Sequence, residues 1–232
     1  MQICGNPSRP KPMARCRRRH KRVWANLLST SSRKPRIYLT ITRCDLSYLV
    51  DLLSKFMQTP HAINMDCAKG VLRYVSATMI YIIIYKSTTH IWLKGYTDVD
   101  WSGYKADSRS TSGFVFCLYS GPISWRNKKK STVALSSTEA KYRGAVISTY
   151  EAIWLKRIMK DLNVSIVDPI LLYCDNLSII NFARNLVFHV QTKHIKVHYH
   201  FIRGGVLAGD VDLQHIDTNL QTTNIFTKIL GV

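Results

Sequence analysis

The chain has 232 residues, with 33 Lys and Arg against 14 Asp and Glu and a formal net charge of +19. That length is enough for one sizeable domain plus an appendage, and the charge points to a polyanionic partner, nucleic acid before an anionic membrane surface. The longest apolar run, Met79 to Tyr85, is far too short to span a bilayer, there is no signal-peptide core, and the six scattered cysteines form no C-x-x-C pair, which speaks against membrane insertion, a zinc site and a disulfide partner.

Residues 1–35 carry ten of the basic residues and no acid. With Pro7, Pro10, Pro12, Pro35 and the run Arg17 to Arg22, they read as a disordered basic tail. Asp45 is the expected N-cap of an amphipathic helix carried by Leu46, Leu49, Val50, Leu53, Phe56 and Met57 and stopped by Thr59-Pro60. A second helix is expected from about Ile63 to Val75, then a short apolar strand at Tyr81–Tyr85. From Trp92 to Trp101 the residues alternate as in a strand, and Asp98 and Asp100 leave the same face of its pleat. Taken alone, they read as two exposed charges on an edge strand ahead of oxygen ligands for a hard cation.

Residues 107–112 read as a polar turn and Gly113–Tyr119 as a strand. After the turn signal Ser120-Gly-Pro122, strand material at Ile123–Arg126 and Thr132–Leu135 flanks a polar tip at 127–131. Ser136 and Glu139 fit a capping box opening a long helix. The apolar run Ile170–Cys174 lies between two helical patterns, the grammar of a parallel strand pair. A further helix over Thr192–Leu207, a strand over Val211–Ile216 and a closing helix over Thr222–Ile229 complete the order. The expectation is an α/β chain with a mixed sheet and helices on both faces, preceded by a small helical segment.

Asp98, Glu139 and Asp175 stand at strand ends or helix starts, which in an α/β sheet converge on one rim. Each has a plainer reading. Glu139 is also the partner of Ser136 in the capping box, and Asp175 is also a candidate N-cap for the next helix. Three histidines, His194, His198 and His200, do not share one helical face and read as solvated or core residues.

The motifs Gly95-Tyr-Thr-Asp-Val-Asp-Trp-Ser-Gly103, Ser110-Thr-Ser-Gly-Phe114, Pro122-Ile-Ser-Trp125, Val133-Ala-Leu-Ser-Ser-Thr-Glu-Ala140, Tyr173-Cys-Asp-Asn176, Thr192-Lys-His-Ile195 and His200-Phe-Ile-Arg203 run through the chain in order. This set resembles the ribonuclease H domain of copia-type retrotransposon Pol polyproteins. Upstream, Tyr38-Leu-Thr-Ile-Thr-Arg43, Phe56-Met57 and Val71-Leu-Arg-Tyr74 resemble the segment joining the reverse transcriptase to that domain. The resemblance implies a ribonuclease H-like five-stranded mixed sheet over residues 89–231, a connection remnant over 36–88 and an unrelated tail over 1–35. It also implies a two-metal site for Mg²⁺ or Mn²⁺ that cuts the RNA strand of an RNA–DNA hybrid, while the scattered cysteines point to a reducing place inside the cell, cytoplasm or nucleus. Asp98, Glu139 and Asp175 match three of the four metal-binding carboxylates. Asn224 stands where the fourth, an Asp, is expected, so the site is degenerate and activity is expected to be impaired. An inactive nucleic-acid-binding remnant, or a Pol fragment with no function, is the alternative. Asp217 lies nearby, but nothing in its spacing argues for it as a replacement. The run Lys128-Lys129-Lys130 is either a solvated turn or a phosphate contact. No Tyr-x-Asp-Asp signature occurs, so no polymerase activity is expected.

Overall fold

The structure, a computed structural model, describes residues 34–56, 61–85, 91–101, 109–130, 133–134, 136–164, 166–184 and 193–227. Residues 1–33 of the tail expected over 1–35, the Thr59-Pro60 stop, Asp107, the side chains of His194 and His198, and Ile229 lie outside them, while Lys34 and Pro35, expected in that tail, open a helix instead.

Three helices come first: α1 (Lys34–Thr42), α2 (Ser47–Ser54) and α3 (Ala62–Ala77). They close on a small core of Leu46, Val50, Val71 and Val75, with Leu39 and Leu53 against it. α1 was not among the expected elements, and its Ile37-Tyr-Leu-Thr-Ile-Thr42 stretch carries β-branched residues that weaken a helical signal. Asp45 is not the cap expected of it. It accepts two bonds from Arg43, at 3.0 and 2.7 Å, and one from the Tyr74 hydroxyl at 3.0 Å, so its carboxylate joins α3 to the turn before α2. The run 81–85, expected as a strand, is extended but belongs to no sheet among the described residues. Its anchors are local: Tyr85 donates to the Pro122 carbonyl at 2.7 Å and Ser120 donates to that of Ile84 at 2.9 Å.

The main sheet has five strands: β1 (Leu93–Asp100), β2 (Thr111–Leu118), β3 (Gly121–Lys129), β4 (Ile170–Cys174) and β5 (Val211–His215). Their order is β3-β2-β1-β4-β5, with β1–β2 and β2–β3 antiparallel and β1–β4 and β4–β5 parallel. This is the ribonuclease H-like mixed sheet that the motifs imply. One detail differs. β3 is one edge strand to Lys129 rather than two short strands around a tip, because its ladder with β2 continues through Lys128↔Ser112 and Lys129↔Thr111.

On one face lie α4 (Ser137–Asp161), α5 (Leu177–Arg184) and α6 (Lys193–Leu207). Phe114, Phe116, Leu172 and Leu213 of the sheet meet Ala145, Ala152, Leu155, Ile179 and Ile202 there. α4 starts where the capping box places it, with Ser136 Oγ accepting from the Glu139 N–H at 3.1 Å. Its inner side is small, and a Cβ at Gly144 would stand 2.3 Å from Val99 Cγ2, so only glycine lets the helix lie this close to β1. The other face takes the short α7 (Asn224–Thr227), seated over Gly113. The first helical unit is tied to this sheet by Trp125, whose indole donates to the Thr40 carbonyl at 2.8 Å. Among the described residues no helix is long and apolar enough to cross a membrane.

Candidate functional site

Strands β1 and β4 run side by side in parallel, and Thr97 faces Cys174 in their register. Asp98 and Asp175 are the next residue of each strand, so both stand at the same end of the sheet. α4 runs back along β1, with Ser148 Oγ donating to Thr97 Oγ1 at 2.8 Å and Gly144 beside Val99. Its first turn, with Glu139, is therefore carried to that same end. The rim expected from strand ends and helix starts exists in the fold.

Each rim carboxylate is deeply placed and holds a partner of its own. Asp98 is 4% exposed and accepts from Thr227 Oγ1 at 2.8 Å. Glu139 is 5% exposed and meets Arg143 Nη2 at 2.7 Å. The Asp175 side chain is 7% exposed and meets Lys141 Nζ at 3.0 Å. Asp175 is not the N-cap of α5. Asn176 takes that role, its Oδ1 accepting from the Ile179 N–H at 3.3 Å. Behind the rim, burial first and the Asp175 charge second push the Cys174 thiol up to about 11, which leaves it a neutral packing group.

Among the described residues no three Asp, Glu, His or Cys side chains are gathered closely enough to hold an ion. The sequence reading expected tighter convergence. The reason for the difference is local: carboxylates brought to one place repel, and here each turns instead to a nearby donor. Asn224 is linked to Asp175 through Thr218. Its Nδ2 donates to the Thr218 carbonyl at 2.8 Å, while the Thr218 hydroxyl stands 3.4 Å from Asp175 Oδ2. In kind, the donors fit a divalent ion of the Mg²⁺ type, since Asp98, Glu139 and Asp175 all offer hard oxygen and the Asn224 amide offers a neutral one. In charge they are one acid short of four.

A basic strip flanks the rim. Arg126, Lys128 and Lys130 alternate along β3 and just past its end, and so leave the same strand face. Lys130 is held down to about 8, by burial first and then by Arg143, Arg126 and Lys128 around it. Arg126 and Lys128 also line a shallow crevice with Ser112, Gly144 and Ser148. Lys129 points to the opposite face. The sequence reading named the three lysines and missed Arg126 and Arg143. Alternation from Lys128 back to Arg126 was the available signal, hidden by reading a turn there.

No protein-family model matches the chain. It is 38% identical over 194 residues to the retrovirus-related Pol polyprotein from transposon RE1 of Arabidopsis thaliana, an alignment covering 84% of this chain and 13% of that protein. It is 35% identical over 192 residues to the corresponding polyprotein from transposon TNT 1-94 of Nicotiana tabacum, covering 83% and 14%. The chain thus spans a small part of the length of these relatives. Among solved structures, LC11-RNase H1 from compost overlays with a TM-score of 0.46 at 11% identity, over 59% of this chain and 92% of that one. The strand order and directions, rather than that overlay, carry the fold assignment.

Proposed function

Because the chain belongs to the retrovirus-related Pol polyproteins of copia-type transposons and carries a ribonuclease H-like domain, we propose that it engages RNA–DNA hybrids and cuts their RNA strand weakly. The observation that carries this reading is the shared rim: Asp98 and Asp175 one step past a register pair, with Glu139 brought to the same end by α4. Asp98, Glu139 and Asp175 would hold Mg²⁺ or Mn²⁺, with Asn224 as the degenerate fourth ligand. Bound there, divalent ions supply an activated water and charge stabilisation at the leaving oxygen. The chain's own part is to fix those carboxylates on strand and helix ends and to bind the hybrid's phosphates. Lys128 and Lys130, joined by Arg126 on the same face of β3, supply the phosphate contacts, and Lys129, expected with them, leaves the opposite face. In this reading residues 36–88 are the connection remnant and 89–231 the ribonuclease H-like domain.

A second reading is favoured by a specific observation. The amide at position 224 and the internal partners of all three acids suit a domain that binds a hybrid without cutting it. One experiment separates the two. A labelled RNA–DNA hybrid is incubated with the full chain and Mg²⁺ or Mn²⁺, beside Asn224→Asp and Asp98→Asn. Slow cleavage by the parent, faster cleavage by Asn224→Asp and none by Asp98→Asn support the enzyme. Salt-sensitive hybrid binding with no cleavage by any variant supports the binding remnant, and no binding at all overturns both.

A further inference from the structure

Lys55, Lys69, Lys141 and Lys156 each meet a carboxylate, at 2.9–3.6 Å. Lys130 differs. Among the described residues no carboxylate acts on it, and its charged neighbours are Arg143 of α4 with Arg126 and Lys128 of β3. It is half-buried just past the end of β3, its backbone N–H donating to the Ser110 carbonyl at 2.9 Å. A lysine head enclosed among cations, with no acid beside it, sheds its proton easily, here at about 8 against the ordinary 10.5. At pH 7 it therefore holds roughly 300 times more free amine than an ordinary lysine. Burial and neighbouring cations are the two devices by which a lysine becomes a nucleophile.

The surroundings suit one class of electrophile. Arg126 and Lys128, on the same strand face as Lys130, line a crevice with Ser112, Gly144 and Ser148. The hydroxyls of Ser110 and Ser112, two apart on the adjoining strand, are buried there with no hydrogen-bond partner. Guanidinium, ammonium and unpartnered hydroxyl groups receive a phosphate, and a neutral amine takes a carbonyl carbon. We propose that Lys130 is the nucleophile of a Schiff-base site for aldehydes that carry a phosphate, of the kind an abasic deoxyribose presents in a DNA strand. The Lys130 nitrogen bonds to the aldehyde carbon, the C=O electron pair moves to oxygen, and a proton passes from nitrogen to that oxygen. Loss of water then gives the imine, with nothing oxidised or reduced. The inference goes beyond the proposed function and shares with it only the phosphate-binding face of β3. On an intact strand Lys130 meets phosphate, and where a base is missing it meets the aldehyde.

The test is borohydride trapping on the full chain, which reduces the imine to a stable secondary amine, followed by peptide mapping. The probes are pyridoxal phosphate, pyridoxal and a DNA duplex with one abasic site. Mapping reads the unmodified chain, so no variant has to fold. With limiting pyridoxal phosphate at pH 7, Lys130 should carry about tenfold more label than any other lysine. Its labelling should rise with pH and level off above about 8. Pyridoxal should label it about tenfold less, because the phosphate anchor is gone. Abasic DNA trapped at Lys130 supports the inference with a nucleic-acid source, and pyridoxal phosphate trapped there without the DNA supports it with a free phosphate aldehyde. Label spread evenly over the lysines, equal label from pyridoxal, or none at Lys130 overturns it. No arm contains an RNA–DNA hybrid, so such a failure leaves the proposed function standing.

Discussion

Thr227 and Asp98 lie 129 residues apart, and the threonine hydroxyl donates to the aspartate carboxylate at 2.8 Å with both side chains buried. That bond fixes α7 to the central strand at the rim. Close approach of Thr227 and Phe226 to Gly113 makes it reachable, since a Cβ at position 113 would stand 2.8 Å from Phe226 Cβ. Thr227→Val keeps the shape and removes the donor. It should cost about 1.5–3 kcal/mol, the usual worth of a hydrogen bond to a charged group, measured by urea unfolding. A loss under half a kcal/mol would mean that Asp98 finds equivalent partners without it.

Asn224→Asp should act in two directions. The side chain now donates to the Thr218 carbonyl at 2.8 Å. A carboxylate there has no proton to give and adds negative charge near Asp175, so the metal-free protein should melt lower, by about 1–3 kcal/mol of stability. The gain on adding Mg²⁺ should be larger than in the parent, because an ion that binds only the folded state stabilises by mass action. Thermal melts with and without Mg²⁺ check both. If neither changes, residue 224 does not contribute to the ion site.

Lys130 gives a pH dependence whose sign is fixed. Its folded value of about 8 is below the ordinary 10.5, for burial first and three neighbouring cations after it. Between about 8 and 10.5 the unfolded chain holds this proton and the folded chain has released it. Stability from this group therefore rises with pH across that window, and the full cost of charging it is present below pH 8. Lys130→Met should stabilise the fold at pH 7 and flatten that rise. If Lys130 meets a phosphate, hybrid binding at pH 8–9 should take up protons, seen as a dependence of calorimetric heat on the buffer's ionisation enthalpy. Equal heats in all buffers would separate Lys130 from the bound nucleic acid.

The run from Met79 to Tyr85 exposes its apolar side chains, Ile82 by 78%. A contiguous extended stretch of this kind is prone to strand pairing with other chains. Ile82→Lys should reduce association in light scattering and leave the melting temperature unchanged. A lowered melting temperature instead would show that Ile82 packs in the folded chain.

Much of the fold was legible because its signals are local. The Ser136 and Glu139 box set the start of α4, and the uniform apolar run Ile170–Cys174 marked the strand buried between helices. The failures share a different cause. Asp45, the strand at 81–85 and the split of β3 were all read from neighbours in sequence, but were decided by partners far away: Tyr74 for Asp45 and β2 for Lys128 and Lys129. At the site, the positions of the acids were legible from strand and helix ends. Their individual partners were not, because the Thr227–Asp98 bond and the Lys141–Asp175 pair each span two elements and follow no period.

The sheet order also has a consequence for synthesis. β1 pairs with β2 on one side as soon as the meander forms, but its other edge waits for β4, which begins only at Ile170. At typical elongation rates that leaves the central strand open for roughly 4–14 s on the ribosome. An open strand is a template for mispairing, and charged residues on it are a common guard. Asp98 and Asp100 sit at the far end of that open edge. The nascent chain would thus be kept apart from its neighbours on a polysome by carboxylates that stand at the rim of the finished sheet, and a neutral residue at either position would lower the yield of folded protein.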